Sequence, residues 1–147
     1  MIKNYNINEG WIEVKEPIVD YYGTASLNKL TYEVIGACFD VHNELGHGFL
    51  EAVYKDALEI EFKKRNINFE REKKYEICYK GITLPHYYYA DFVIENQLIL
   101  ELKAQEGNIE EHFKQVINYL AVSKCEIGFL INFGVESLKY KRVLLTK

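Results

Sequence analysis

The chain has 147 residues, of which 48% are hydrophobic and 27% are charged, and its net charge is −4. This length suits one domain with a buried core, and this composition excludes an intrinsically disordered chain. The negative charge excludes the bulk basic character of a protein that coats nucleic acid, but a local lysine-rich face can still bind a phosphate backbone.

The sequence contains no run of 18 apolar residues and no signal-peptide pattern, which predicts a cytoplasmic protein with no membrane partner. Its cysteines, Cys38, Cys78 and Cys125, are widely spaced and form no CxxC pair. We expect them to be buried free thiols of a reducing compartment, rather than disulfides or zinc ligands.

The predicted elements run in the order ααβββαββ, which indicates a single α/β domain with a mixed central β-sheet flanked by helices. Residues 1–24 are polar and irregular and are predicted to form an N-terminal arm with an edge strand near Trp11 to Val14, so the domain itself takes residues 25–147. Apolar spacing predicts helices over 27–45, 49–65 and 109–122, and strands over 68–80, 87–94, 97–104, 126–134 and 140–145.

Charged residues interrupt the second and third predicted strands, which otherwise form an apolar hairpin. Alternation places Glu101 and Lys103 on one face of the later strand, and Asp91 on the corresponding face of the earlier strand. The apolar faces match only in the register that sets Val93 opposite Ile99 and Asp91 opposite Glu101. The hairpin pattern therefore predicts two neighbouring carboxylates, with a lysine two residues along the strand.

Two interpretations of this acid pair follow from the residues alone. In the first, the face is exposed, and Lys103 balances the charge of Asp91 and Glu101. In the second, a divalent cation lies between the carboxylates, since Mg²⁺ prefers one or two carboxylates and takes further ligands from water and phosphate. Because like charges repel, the second interpretation predicts that Asp91→Asn leaves the metal-free protein at least as stable.

Asp91, nine intervening residues and then Glu101-Leu102-Lys103 resemble the core signature of the PD-(D/E)xK nuclease superfamily. A second motif resembles the pattern after which the GxxExxY family of this superfamily is named, with Gly48, Glu51 and Tyr54 at its fixed positions. The resemblance covers roughly residues 27–145 and includes the stretches "EVIGACFDVHNELGHGFLEAVYKDAL", "ADFVIENQLILELKA", "QVINYL" and "INFG".

The resemblance implies a restriction-endonuclease-like core and a metal-dependent nuclease that hydrolyses phosphodiester bonds of nucleic acid. Mg²⁺ or Mn²⁺ would be held by Asp91, Glu101 and the carbonyl of Leu102, and Glu51 would assist directly or through water. Lys103 would position the nucleophile. The implied catalytic residues are Asp91, Glu101, Lys103, Gln115 and Glu51, with Gln115 orienting the lysine or a water.

One departure supports an alternative function. Tyr89 stands where the family usually has arginine, two residues before Asp91, and this exchange removes a cation that could hold phosphate. The alternative is a catalytically degenerate nuclease-fold module that binds nucleic acid or a protein partner. The residues leave DNA and RNA both open as partners, and a homodimer as well.

Overall fold

The computed structural model describes residues 4–7, 12–13, 25–107 and 109–146. From the first helix onward the main elements follow the predicted order ααβββαββ, and the predicted α/β class is confirmed. The elements are β1 (Asn4–Ile7), β2 (Ile12–Glu13), α1 (Ala25–Leu45), α2 (Glu51–Lys64), β3 (Phe69–Tyr79), β4 (Ile82–Ile94), β5 (Leu98–Lys103), α3 (Phe113–Val122), β6 (Ile127–Asn132) and β7 (Lys139–Thr146), with a 3₁₀ turn at Glu110–His112 before α3.

The strands of the described residues form one sheet in the order β1-β7-β6-β5-β4-β3, and β2 also pairs with β7. Strands β5 and β6 are parallel and the other pairs are antiparallel, so the sheet is mixed as predicted. Helix α3 connects the parallel pair, because parallel strands cannot be joined by a tight turn.

The predicted N-terminal arm contributes two short strands, β1 and β2, to the β7 side of this sheet. The rest of residues 1–24, including Trp11 and Val14 of the predicted edge strand, lies outside the described residues. The division into an arm at 1–24 and a domain at 25–147 therefore stays a prediction.

Two apolar layers cover the two faces of the sheet. Helices α1 and α2 pack on one face, against a layer that includes Phe92, Leu98, Leu100 and Leu102. Helix α3 packs on the other face, against a layer that includes Ile99. The central strands β5 and β6 are therefore buried on both sides, which explains their nearly continuous apolar sequences.

The three cysteines are free, as predicted, although Cys78 is exposed rather than buried, because it lies near the outer end of β3. Among the described residues, no helix is both long enough and apolar enough to cross a membrane.

The alternation of side chains in β4 is interrupted at Asp91. Phe92 packs with α1 and α2, whereas Ala90 packs with the layer under α3, although side chains two residues apart normally share a face. On β3, Glu72 stands between the residues paired with Phe92 and Ala90 and has a φ of +53°. A local irregularity in both strands therefore coincides with the predicted site.

Candidate active site

The β4–β5 hairpin has the register that the apolar pattern predicts. Its turn carries Glu95 and Asn96 at φ values of 51° and 54°, and the N–H of Gln97 donates to the carbonyl of Ile94. Asn96 thus takes a left-handed position, which asparagine adopts more readily than most residues. The paired residues are Phe92 with Leu100, Val93 with Ile99 and Ile94 with Leu98, so that Asp91 and Glu101 come next in line.

Side chains replace backbone groups in the ladder at Asp91 and Glu101. The N–H of Leu102 donates to Oδ2 of Asp91 over 2.8 Å, and the N–H of Asp91 donates to Oε2 of Glu101 over 3.4 Å. Each carboxylate thus binds the backbone of the opposite strand. The two residues are only 4% and 3% exposed, which excludes the open, solvated face of the first interpretation.

The carboxyl group of Glu101 is strongly perturbed by its surroundings. Burial, and secondly the negative charge of Asp91, raise its pKa well above the ordinary value, and Lys103 only partly offsets this effect. Glu101 therefore tends to keep its proton at neutral pH. A cation between the two acids would favour the ionised form, so the pair has the electrostatic character of a cation site.

Lys55 of α2 is the residue of the site that sequence reasoning missed. Its Nζ lies 2.6 Å from Oδ1 of Asp91, 2.9 Å from Oε1 of Glu72 and 3.3 Å from Oε1 of Glu51. Burial alone would lower the pKa of Lys55, but the hydrogen bonds to Asp91 and Glu72 outweigh it and raise the pKa. A protonated ammonium thus joins three carboxylates from α2, β3 and β4.

The contact of Lys55 with Glu51 was detectable in the sequence, because residues four apart on a helix are neighbours. Its contacts with Glu72 and Asp91 join different elements and depend on how α2 packs across the sheet. Since the hairpin pattern says nothing of that packing, it gave no sign of these two contacts.

Lys103 is less closely bound to the acid pair than predicted. Its Nζ lies 4.0 Å from Oε1 of Glu101, and its side chain is largely buried. The cation in direct contact with Asp91 is Lys55 instead. Lys103 is therefore not the main charge balance of Asp91, which leaves its ammonium available for another contact.

The end of β6 holds the segment that carries Lys103. The N–H of Phe133 donates to the carbonyl of Lys103 over 2.8 Å, and the buried amide of Asn132 donates to the carbonyl of Gln105 over 2.9 Å. A Cβ on Gly134 would collide with the backbone of Ala104 and Gln105. The "NFG" stretch, residues 132–134, therefore fixes the backbone after β5.

Glu51 is the first residue of α2, and the motif around it builds the turn before that helix. The hydroxyl of Tyr54 donates to the carbonyl of Gly46 over 2.7 Å and accepts the N–H groups of Gly48 and Phe49 at 3.2 and 3.3 Å. Gly48 has a φ of +132°, which favours glycine. Tyr54 is fully buried, and its hydroxyl fixes the turn that precedes Glu51.

Gln115 contacts a tyrosine rather than the lysine. Its Nε2 donates to the hydroxyl of Tyr119 over 2.8 Å, and this hydroxyl donates to the carbonyl of Tyr89 over 2.7 Å. Burial and the nearby charges of Glu101 and Asp91 raise the pKa of Tyr119, which keeps the hydroxyl protonated. Through Tyr119, Gln115 therefore helps to fix the backbone of β4 at Tyr89, two residues before Asp91.

The side chains present at the acid pair fit a divalent ion with few protein ligands. In the portion of the chain that is described, no group of three or more His, Cys, Asp and Glu side chains is arranged to hold a metal. Mg²⁺, however, accepts one or two carboxylates and keeps several waters. Asp91 and Glu101 are two such carboxylates, and Asp91 already attracts one cation, the ammonium of Lys55.

A family model described as the PD-(D/E)XK nuclease superfamily matches residues 28–143. Among solved structures, the crystal structure of SSO0001 is similar, with 26% sequence identity and a TM-score of 0.48. That similarity covers 61% of this chain and 48% of the other, so this chain spans about half the length of SSO0001. No curated protein matches this chain.

Proposed function

We propose, from the premise that this chain belongs to the PD-(D/E)XK nuclease superfamily, that it is a metal-dependent nuclease of the GxxExxY family. One observation carries the proposal: Asp91 and Glu101 are buried side by side in the central hairpin and bind each other's strands. Two buried neighbouring acids cost stability, which a purely structural domain would avoid. The turn fixed by Gly48 and Tyr54 supports the finer family assignment.

In this proposal Asp91, Glu101 and the Leu102 carbonyl would hold Mg²⁺ or Mn²⁺, and Glu51 would assist directly or through a water. A bound divalent ion lowers the pKa of a water and polarises the scissile phosphate. Lys103 orients the attacking water and neutralises charge that develops on the phosphate. The hydrogen bonds from Asn132 and Phe133 support this role, because they fix the backbone that carries Lys103.

Lys55 and Gln115 have supporting roles in the proposed site. Lys55 neutralises Asp91, and its contacts with Glu51 and Glu72 would still hold its ammonium if a divalent ion bound Asp91 instead. Gln115 acts through Tyr119 to fix the position of β4 and so of Asp91. Its effect on catalysis is therefore that of a positioning residue.

The proposal also includes the cellular setting. Three free cysteines support a reducing, cytoplasmic compartment. The partner is nucleic acid, DNA or RNA. The exposed Lys74 and the half-buried Lys73, which pair with Tyr89 and Ala90 just before Asp91, support this partner. A homodimer is part of the same proposal, and sedimentation analysis tests it separately.

A second candidate function is a binding module without catalysis. Tyr89 in place of the expected arginine and a net charge of −4 favour it. The contact between Lys55 and Asp91 also favours it, because a lysine that already neutralises the acid competes with a metal. The intact set of Asp91, Glu101 and Lys103 favours the nuclease.

A cleavage screen separates the two functions. Labelled single- and double-stranded DNA and RNA are incubated with the wild-type protein in Mg²⁺, in Mn²⁺ and in EDTA. The nuclease proposal predicts cleavage of at least one substrate with metal, none with EDTA, and none by an Asp91→Asn variant prepared in parallel. If the wild-type protein cleaves nothing, or if the variant cleaves equally well, the nuclease proposal fails.

Lys103→Ala should lower the cleavage rate by about 10²-fold or more, as expected for the loss of one group that stabilises developing charge. Its Mn²⁺ affinity should stay equal or rise, because a cation near Glu101 has been removed. Lys63→Ala, at an exposed position of α2, is the matched control and should cleave normally. Full activity of Lys103→Ala would return Lys103 to a role in charge balance.

A further inference from the structure

The β3–β4 hairpin extends well beyond β5, the strand that joins it to the rest of the sheet. The β5 pairing of β4 ends at Phe92, whereas the β3 pairing continues to Tyr79 opposite Ile82. Residues 73–90 thus form a two-stranded extension of the sheet, which we call the β3–β4 extension. Its tip turns through Lys80 and Gly81, which have φ values of 48° and 78°. The last residue of the β3–β4 extension, Ala90, directly precedes Asp91 of the acid pair.

One face of the β3–β4 extension carries two exposed tyrosines and a lysine. Tyr87 and Tyr89 are 49% and 51% exposed, and they share a face because they are two residues apart on one strand. Lys74 pairs with Tyr89 across the strands, and its Nζ lies 3.8 Å from the ring centroid of Tyr87. We call Lys74, Tyr87 and Tyr89 the tyrosine platform.

The base of this platform is fixed, although its rings are exposed. The carbonyl of Tyr89 accepts the hydroxyl of Tyr119 over 2.7 Å, and the intervening Tyr88 packs edge-on against the ring of Tyr119. The strand between the platform and Asp91 is therefore anchored to α3. A ligand on the platform would lie at a fixed distance from the acid pair, only two residues along β4.

We propose that the tyrosine platform binds unpaired bases, so that the substrate of the proposed nuclease is single-stranded nucleic acid or a single-stranded segment. Side chains at alternate positions of a strand lie about 7 Å apart. Stacked bases in a duplex are about 3.4 Å apart, so these rings match bases that are separated rather than stacked on each other. Aromatic rings beside a cationic groove are the usual means of holding such strands.

The composition of the platform favours a single strand over a duplex. A two-stranded ribbon can also enter a major groove, where it reads base edges through hydrogen-bonding side chains. The platform offers aromatic rings instead, and its one cation, Lys74, lies over the ring of Tyr87. Glu76 stands opposite Tyr87, with Oε1 3.9 Å from Nζ of Lys74, so this face carries an acid beside its lysine rather than the several cations that neutralise a duplex backbone. Tyr89 thereby gains a binding role at the position where the family usually has arginine.

The test measures binding without cleavage. Fluorescence anisotropy in EDTA follows labelled oligo-dT and oligo-rU of about 16 nucleotides, the upper site size of single-strand modules, and a duplex of equal length. The variants change Tyr87 and Tyr89 together to Ala, Leu or Phe. Tyr32→Ala, at a position 52% exposed on α1, is the matched control.

The wild-type protein should bind at least one single strand about tenfold tighter than the duplex. The double Ala variant should lose about 30-fold or more in that affinity, since each stacked ring contributes at least about fivefold. The double Phe variant should bind normally, the double Leu variant should bind as weakly as Ala, and Tyr32→Ala should be unchanged. This pattern distinguishes stacking from general apolar contact.

Equal affinity for the duplex, normal binding by the Ala variant, or equal binding by Leu and Phe would overturn the inference. So would conversion of a dimer to a monomer by the Ala variant with binding unchanged, because the platform would then contact a second copy of the chain. The inference rests on the proposed function but fails separately from it. Metal-dependent cleavage together with normal binding by the Ala variant would refute only the role of the platform. Binding to the platform without any cleavage would refute only the nuclease proposal.

Discussion

Lys55 is the residue that changes the account of the site most. The sequence alone predicts that Asp91→Asn relieves repulsion from Glu101 and costs no stability. In the structure, however, Asp91 also has a largely buried ion-pair partner, with Nζ of Lys55 2.6 Å away. Removing one partner of a buried pair leaves the other uncompensated. We therefore now expect a loss of stability from Asp91→Asn in the metal-free protein.

Lys55→Met should destabilise the metal-free protein by about 3–5 kcal/mol, as expected when one member of a buried ion pair is removed. Added Mn²⁺ should restore more stability to this variant than to the wild type, because the ion no longer competes with the lysine. Thermal unfolding with and without Mn²⁺ measures both effects, with Lys63→Met on the exposed side of α2 as control. Equal metal-induced shifts in variant and wild type would refute the competition.

Glu101 gives the site a predicted pH dependence. Its pKa is raised from 4.5 to about 9 in the folded protein by burial and by Asp91. Above pH 4.5 the unfolded chain releases this proton while the folded chain keeps it, so stability falls as the pH rises from 4.5 towards about 9. The slope is at most about 1.4 kcal/mol per pH unit for a single group.

Glu101→Gln should remove this part of the pH dependence, since glutamine does not titrate. Urea unfolding of the metal-free protein at several pH values between 5 and about 9 provides the comparison with wild type. Parallel curves for the two proteins would show that Glu101 does not retain its proton on folding.

At the scale of elements, the turn between α1 and α2 depends on one hydroxyl group. The ring of Tyr54 stacks on Phe133, with 4.8 Å between centroids, while its hydroxyl makes three hydrogen bonds to the turn. Helix α2, which carries Glu51 and Lys55, thus begins from a turn that is tied to the end of β6. Of the three fixed positions of the motif, Gly48 and Tyr54 are therefore structural.

Tyr54→Phe should destabilise the protein by about 1–2 kcal/mol, because it removes the hydroxyl but keeps the stacked ring. Urea unfolding measures the change, and Tyr32→Phe, an exposed hydroxyl on α1, should alter stability by less than about 0.5 kcal/mol. Amide exchange at Gly48 and Phe49 should become faster only in the first variant. Unchanged exchange would mean that Tyr54 does not fix the turn.

For the whole molecule, periodicity was sufficient to predict the element order from α1 to β7 and the register of the central hairpin. Both follow from apolar residues that must face a core, such as Phe92 and Leu100, and a one-residue slip would expose them. The interruption at Asp91 and Glu72 was not predictable in this way, because it follows from side chains that replace backbone hydrogen bonds.

Contacts between distant elements form the other part that the sequence did not supply. Lys55 reaches β4 from α2, and Gln115 reaches β4 through Tyr119 from α3. Gln115 and Tyr119 are four residues apart and so share one face of a helix, but which strand they contact depends on how the helices cross the sheet. The sequence therefore predicted the acids of the site more accurately than the groups that hold them.

Isothermal titration calorimetry with Mn²⁺ tests most directly the central claim that Asp91 and Glu101 hold a divalent ion. The account predicts a saturable site in the wild-type protein and no measurable heat of binding in Glu101→Gln or in Asp91→Asn, with both variants shown to be folded by circular dichroism. A wild-type protein that binds no Mn²⁺, or variants that bind it as the wild type does, would contradict the claim.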